Sequence, residues 1–588
     1  YGTQKSRQPW DAEFAELWEL RETNSTWTRH ARLASWDAMP ITLAQDSESG
    51  EATAELIDVN NGASEKDYAG KDVRGKIVLA AAQPGAVARH AVERLGAVGI
   101  VSYAQNQRTA WWGENENLVR WGHLDTFAAK PTFAFMISPK QARNFQARLA
   151  RGEKIRLHAI VRAGKHSGFY DVATATIPGA DPSLRNEEIA FSCHLDHQRP
   201  GANDNASGSV AILEVARTLN KLIAEGKIPR PARTIRFIWP PEIEGTITLL
   251  NARPEIASRI KAVIHMDMVG GGPETKAIFH VTRGPASLPS FVNDVAEHFG
   301  QLVNDQSAQF AKGQNVPYPM FAAEGGKEPL HAAMAEFSMG SDHQVYADSS
   351  FGIPAVYLND WPDRYIHTNF DTPANVDPTK LKRAAFIGAA SAYFLANVNS
   401  NHAASILKLL QSQSLQRTST LLTRRASLSP EEAANLTRFH VWRERALIDS
   451  MERFFRIPET TRTEATAFLG TIEKLAGDAK PATTSPGDGS LIFRRNAKLK
   501  GPMSAFGYDY FSDHYGAERE SALRLMQFQG LRASGGEYAY EVLNLVNGRR
   551  TAQEIRDFVS AAYGPIPFEL VVEYLRALES IKVIEAVK

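Results

Sequence analysis

Two rhythms of apolar residues run along the chain. Short, largely apolar runs at 77–82, 98–103 and 132–137 and an alternating stretch at 154–161 read as strands, and 87–95, with Val87, Ala91 and Leu95 on one face and Gly96 after it, reads as a helix. Residues 10–36 read as helical and then irregular, with Trp10, Trp18, Trp27 and Trp36 as packing anchors. From about Tyr170 the rhythm alternates. Strand-like runs at 171–177, 189–193, 234–239, 262–266, 278–281 and 354–358 are interleaved with 3.6-residue periodicity at 210–222, 287–299 and 379–396. Such alternation predicts an α/β class with a mixed, largely parallel sheet flanked by helices. Beyond Ser400 the pattern is helical, and 480–490 has a linker's composition. The tail shows three short helical patterns and a closing strand, with a Thr551–Glu554 capping box, and reads as a winged-helix-like module. The domain expectation is a helical segment at 1–40, a β-rich insert at 41–165, the α/β unit at 166–400, a helical extension and linker at 401–515, and the terminal module at 516–588.

With 588 residues the chain exceeds one ordinary core, which fits this division. Its 66 basic residues balance 66 acidic ones, so charge gives no support to a nucleic-acid partner. The last helical stretch carries Glu569, Glu573 and Glu579 against Arg576, a face that repels phosphate, so packing rather than DNA binding is expected of the tail. No apolar run has a membrane span's length of about 18 residues. The single cysteine, Cys193, excludes an intrachain disulfide framework. The chain starts at Tyr1 rather than Met, and the expectation is a secreted or periplasmic protein whose leader is missing from this sequence.

Candidate chemistry concentrates where strand-like runs end. The run 189–193 ends in His194-Leu195-Asp196-His197, followed by a Pro/Gly loop and Asn203-Asp204-Asn205. In an open α/β sheet ligands bind at the strands' carboxyl edge. An imidazole with nearby carboxylates there suits a zinc-like divalent cation. Asp196 is placed to hold the far N–H of His194, and His197 to cap the loop. Further strand ends carry Glu242-Ile243-Glu244-Gly245 and His265-Met266-Asp267. Loops hold Gly340-Ser341-Asp342-His343 and Tyr365-Ile366-His367-Thr368-Asn369-Phe370-Asp371.

Taken in order, HLDH…GANDNASG, PEIEG, HMDMVG, GSDH and YIHTNFDT resemble the co-catalytic zinc exopeptidases, the family of bacterial leucyl aminopeptidases, glutamate carboxypeptidases and transferrin-receptor-like proteins. The resemblance covers about residues 170–397. Upstream, VRGKIVLAAA…AVERLGAVGIVSY resembles the protease-associated domain inserted in several exopeptidases. The resemblance implies the zinc exopeptidase fold. It implies His194 and Asp267 as ligands of one metal, Asp204 as the bridging carboxylate, His367 as a ligand of the other metal, and Glu242 as general base. Asp196, Glu244, Asp342, His343 and Asp371 are then supporting or substrate-facing residues. One position departs from the family pattern: Ile243 stands where the second metal's acidic ligand is expected. A single zinc ion is therefore favoured over two, unless Glu244 or another residue completes the second position.

The implied function is a zinc-dependent metallo-aminopeptidase acting on peptide substrates. A carboxypeptidase, which needs a cation for the terminal carboxylate, is not separated from it. A non-catalytic scaffold protein and a single-metal acyltransferase of the glutaminyl-cyclase type are the rivals, the first favoured by Ile243.

Overall fold

The computed structural model describes residues 8–105, 115–477, 487–505 and 508–587. Two seven-stranded sheets organise it. The first is built from β1 (Trp10–Thr23), β2 (Thr26–Ser35), β3 (Gly50–Asp58), β4 (Ile77–Ala80), β5 (Gly99–Ser102), β6 (Ala134–Met136) and β7 (Arg156–Lys165), in the order β2-β1-β7-β3-β4-β5-β6.

The expected N-terminal helix is therefore a hairpin belonging to the insert's own sheet. Ala15, Leu17 and Glu19 are buried at a spacing of two, the period of a strand. Asn24 and Ser25 both have positive φ (52° and 61°), and Thr23 pairs with Thr26 across them. A two-residue loop with both φ positive is the turn whose twist matches an antiparallel pair. The tryptophan anchors hold in part. Trp10 meets Trp36 edge-on at 6.0 Å and its Nε1 donates to Ser47 O at 2.7 Å, whereas Trp27 lies exposed.

The second sheet contains β8 (Ala173–Ile177), β9 (Glu188–Ser192), β10 (Thr234–Trp239), β11 (Ile260–Asp267), β12 (Phe279–Thr282), β13 (Ala333–Ala335) and β14 (Ala355–Asp360), ordered β13-β12-β14-β11-β9-β10-β8. Strands β10, β9, β11 and β14 run parallel; β8 and β12 join them antiparallel. The class is mixed α/β, as the alternating pattern predicts. All five residues of β9 are buried, and its centre, Ile189-Ala190-Phe191, is the apolar run that sequence alone marks as a strand.

Each face of this sheet has its own cover. Phe191, Phe237, Ile264 and Met266 face helices Gly208–Ala224 and Pro378–Asn397, and the extension helices close the same apolar cluster through Leu407, Leu447 and Leu469. Ala190, Ile238, Val263 and Ala355 face the other way, into a cluster with Ile243 and Ile247 and with Phe493, Phe511, Tyr538, Val542 and Leu575 of the C-terminal module. That module holds helices Gly535–Leu545, Ala552–Tyr563 and Phe568–Ser580 and a strand, Ile584–Ala586. The strand pairs with Phe493–Arg495, so the module reaches upstream of the expected boundary at 516. Thr551 and Glu554 form the expected capping box. Most of the linker-like stretch, 480–486, lies outside the described residues; Gly487–Ser490 forms a short 3-10 turn. Among the described residues no helix is long and apolar enough to cross a membrane.

Candidate metal centre

Four parallel strands bring their carboxyl ends to one edge of the second sheet. His194 follows β9, Glu242 follows β10, Asp267 ends β11 and His367 follows β14. The loop after β9 returns Asp204 across this edge, over a cis Asp204–Asn205 peptide. Asp371 holds that loop in place by accepting the backbone N–H of Asn203 (2.6 Å) and of Asp204 (3.0 Å). Asn203 Nδ2 adds a bond to Asp363 Oδ2 at 2.9 Å. Asp371 thus supports the loop, and burial pushes its carboxyl up to about 7.

The site contains two triads that share Asp204: His194–Asp204–Asp267 and His197–Asp204–His367. Within each, the ligand atoms lie within 4.8 Å of one another. His194 Nε2 is 3.2 Å from Asp204 Oδ1 and 3.4 Å from Asp267 Oδ1. His197 Nε2 is 3.3 Å, and His367 Nε2 3.0 Å, from Asp204 Oδ2.

The far nitrogens decide how these rings are used. His194 Nδ1 lies 2.8 Å from the Asp196 carbonyl oxygen, and His197 Nδ1 lies 2.5 Å from that of Gln198. A carbonyl accepts, so both Nδ1 atoms donate and Nε2 is in each ring the atom that faces the carboxylates, where a cation or a proton is favoured. Asp196 therefore orients His194, but through its backbone. Its carboxylate is largely exposed, 3.7 Å from the ring, and accepts the Glu242 N–H at 2.7 Å. Asp267 is set by a relay in which His265 Nε2 donates to Ser341 Oγ (2.8 Å) and Ser341 Oγ donates to Asp267 Oδ2 (2.6 Å).

These bonds leave His194 Nε2, His197 Nε2 and Asp267 Oδ1 buried and without hydrogen bonds. Buried polar atoms are rarely left unpaired, and here they converge on one carboxylate. A divalent cation in each triad would satisfy them with nitrogen and oxygen ligands of the kind zinc takes, so the residues fit the group. The electrostatics agree. Burial opposes ionisation of His194, but the carboxylates of Glu242 and Asp267 outweigh it and raise the imidazole well above its usual value. Burial likewise opposes the charge on Asp204, yet His197, His194 and His367 hold it well below the usual carboxylate range. Glu242 is pushed well upward, first by burial and then by Asp267 and Asp204, with His194 opposing.

His197, expected only as a loop cap, stands with Asp204 and His367 in the second triad. Its signal was the three-residue spacing from His194 in HLDH, which lets one loop feed both triads. Ile243 does not contribute. Its φ is +59°, a strained value for a β-branched residue, and its side chain is fully buried among Ile247 and Val345. This turn aims Glu242 at the site and Ile243 away from it. Asp342 stabilises the turn, its Oδ1 accepting the Ile243 N–H at 2.7 Å, and burial raises its carboxyl to about 7. Glu244 starts the helix Glu244–Ala252 and belongs to neither triad. His343 is buried, bonded through Nε2 to Ser338 O at 2.7 Å and stacked on Tyr357 at 4.2 Å. Cys193 is buried, and its thiol is pushed up to about 12, which makes it inert as a nucleophile.

Residues 173–392, which contain both triads and Glu242, match the model of peptidase family M28. The match covers less than half of the chain, the segment that forms the second sheet and its helices. The chain is similar to "Leucine aminopeptidase 1" of Fusarium vanettenii, 30% identical over 148 residues covering 21% of this chain and 36% of that protein. It is also similar to an "Aminopeptidase" of Pseudomonas aeruginosa, 33% identical over 124 residues covering 20% and 21%. These matches span about a third of the first relative's length and a fifth of the second's. Among solved structures, a zinc aminopeptidase from Bacillus subtilis is 17% identical with a TM-score of 0.42, covering 66% of this chain and 84% of that one.

Proposed function

We propose that the chain is a zinc-dependent exopeptidase of the aminopeptidase kind, releasing residues from the N-terminus of peptides. The reading is carried by the two triads meeting on Asp204, with the buried, unpaired Nε2 atoms of His194 and His197 and with Glu242 beside them. The family match and the names of the two relatives point the same way. We further propose two cations rather than the one expected from Ile243, because His197 supplies the second position's third ligand.

When bound, the cations would act as Lewis acids on the peptide carbonyl and on water. Asp204 supplies one carboxylate oxygen to each triad and so sets their spacing. The Nδ1–H bonds of His194 and His197 to backbone carbonyls hold both rings in the tautomer that offers Nε2. Glu242 takes a proton from the attacking water at its carboxylate and returns it to the leaving amine, the usual work of a general base and acid. Its backbone bond to Asp196 fixes where that carboxylate stands. The scaffold alternative rested on the missing acid at Ile243 and loses that ground.

Metal analysis with hydrolysis of leucyl-p-nitroanilide tests this. Glu242→Gln is expected to lower kcat on the order of 100- to 10,000-fold with metal content unchanged. Asp204→Ala is expected to lose both metal and activity. An N-acetylated substrate should resist cleavage. Full metal content in Asp204→Ala, or an undiminished rate in Glu242→Gln, would overturn the reading.

A further inference from the structure

The insert meets the metal centre in two places: Gln198 Nε2, on the loop that carries His197, donates to Leu43 O at 2.9 Å, and residues 117–121 lie against the loop that carries His367. Val119 N donates to Asn369 Oδ1 at 2.7 Å, Asn369 N to Val119 O at 3.0 Å, and Trp121 N to His367 O at 2.8 Å. Arg120 and Thr368 form an antiparallel bridge. Gln83 Nε2 donates to Trp121 O at 3.1 Å, which ties the seam back to the start of helix Pro84–Ala91 in the insert. The Trp121 indole then stands edge-on to both imidazoles of one triad. It is 4.9 Å from His367 at 82° and 5.3 Å from His197 at 61°, and the two imidazoles are themselves 5.4 Å apart.

Neither His197 nor His367 lies on a helix or strand. A ring on a loop turns about its own torsions, and fixing it costs conformational entropy when a ligand binds. For both Nε2 atoms to converge on Asp204 Oδ2 beforehand, the rings need a lateral stop. A large aromatic edge packed against both provides one at little entropic cost, since an indole has only two side-chain torsions. His194 and Asp267 need no such stop, because β9 and β11 and the Ser341 relay already orient them.

We propose that Trp121 is a positioning residue through which the insert presets His197 and His367, so that affinity for the cation in that triad depends on a residue from outside the segment that matches family M28. This rests on the two-cation reading above. The full-length chain is stripped with chelator, and zinc affinity at each position is measured by competition with a chromophoric chelator, with circular dichroism as the check of folding. In Trp121→Ala one cation is expected to bind as in the unaltered protein, and the other on the order of 10- to 100-fold more weakly, the size typical of losing a ligand's support. Trp121→Phe keeps an aromatic edge and should restore affinity to within about threefold. Asn369→Ala loosens the seam without touching the indole and should weaken the same position by a smaller factor. Unchanged affinity for the second cation in a folded Trp121→Ala overturns the proposal; if that variant does not fold, unchanged affinity in Asn369→Ala does so. A chain that binds fewer than two cations before any substitution overturns the two-cation reading itself, which separates the two failures.

Discussion

The turn that carries Glu242 is braced from the C-terminal side, His197 and His367 from the insert, and the two braces differ in kind. On the C-terminal side the module shares one apolar cluster with the sheet. Ile243 and Ile247 pack into it together with Tyr538, Val542 and Leu575. Polar ties reinforce it: Tyr540 Oη donates to Gln344 O at 2.7 Å, Glu541 accepts the Ala286 N–H at 2.6 Å and the Tyr563 hydroxyl at 2.8 Å, and Arg495 pairs with Asp348 at 2.9 Å. The insert instead buries its own clusters around Leu17, Phe135 and Leu157 and around Val78 and Val87, and reaches the site through a few hydrogen bonds, at 117–121 and at Gln198–Leu43, and one indole. A shared core cannot be parted without exposing apolar surface on both partners, whereas a seam can open and leave two cores intact. The half of the site holding Glu242 is therefore tied to global stability. The half built on His197 and His367 is tied to local contacts and is free to be tuned.

The largest effect should follow removal of the C-terminal module. Each buried aliphatic or aromatic side chain it contributes is worth about 1.5–3 kcal/mol, and a domain's whole margin is about 5–15 kcal/mol. A chain ending at Gly477 is expected to be insoluble or unfolded; if it is soluble, with a cooperative melt and bound zinc, the shared-core side of the comparison fails.

A smaller but still severe effect is expected of Ile243→Glu. Adding an acid there restores the family's pattern on paper, yet the side chain points into the apolar cluster. A carboxylate left unpaired in such a place costs about 3–5 kcal/mol. The variant should show a lowered denaturation midpoint without any gain in metal content. A rise in metal content at undiminished stability would break the assignment of Ile243 to the core.

The smallest effect sharpens the comparison through pH. His343 sits on the C-terminal side, with burial holding its imidazole down at about 4. The unfolded chain binds that proton near pH 6.5 and the folded one does not. Stability should therefore be fully present above about 6.5 and should fall as the pH drops towards 4, by up to about 3 kcal/mol from this residue. Urea midpoints of the full chain against His343→Phe, which keeps the stack on Tyr357, measure it. Equal pH slopes for the two proteins would remove His343 from the account.

Local pattern was enough for six of the second sheet's seven strands, β13 (Ala333–Ala335) being the one it passed over, and it marked the strand ends, while the roles there came from the resemblance. Parallel strands buried on both faces read as apolar runs, and the polar residues that end them stand out, so His194, Glu242, Asp267 and His367 were legible without coordinates. Periodicity also located the helices between them and the capping box at Thr551. Where the pattern was read with the wrong period, at β1 and β2, the spacing of Ala15, Leu17 and Glu19 and the Asn24-Ser25 turn were present in the sequence all the same. Other features were decided only in three dimensions. That His197 rather than residue 243 completes the second triad depends on a loop folding back over Asp204 and on the left-handed turn at Ile243, which swings one side chain into the core and its neighbour into the site. That the terminal module is the second cover of the sheet, and that Trp121 reaches the imidazoles from the insert, depend on contacts between residues hundreds of positions apart. An apolar face or a tryptophan announces that it will be buried, but hydrophobic burial is non-directional, and only the packed chain selects the partner.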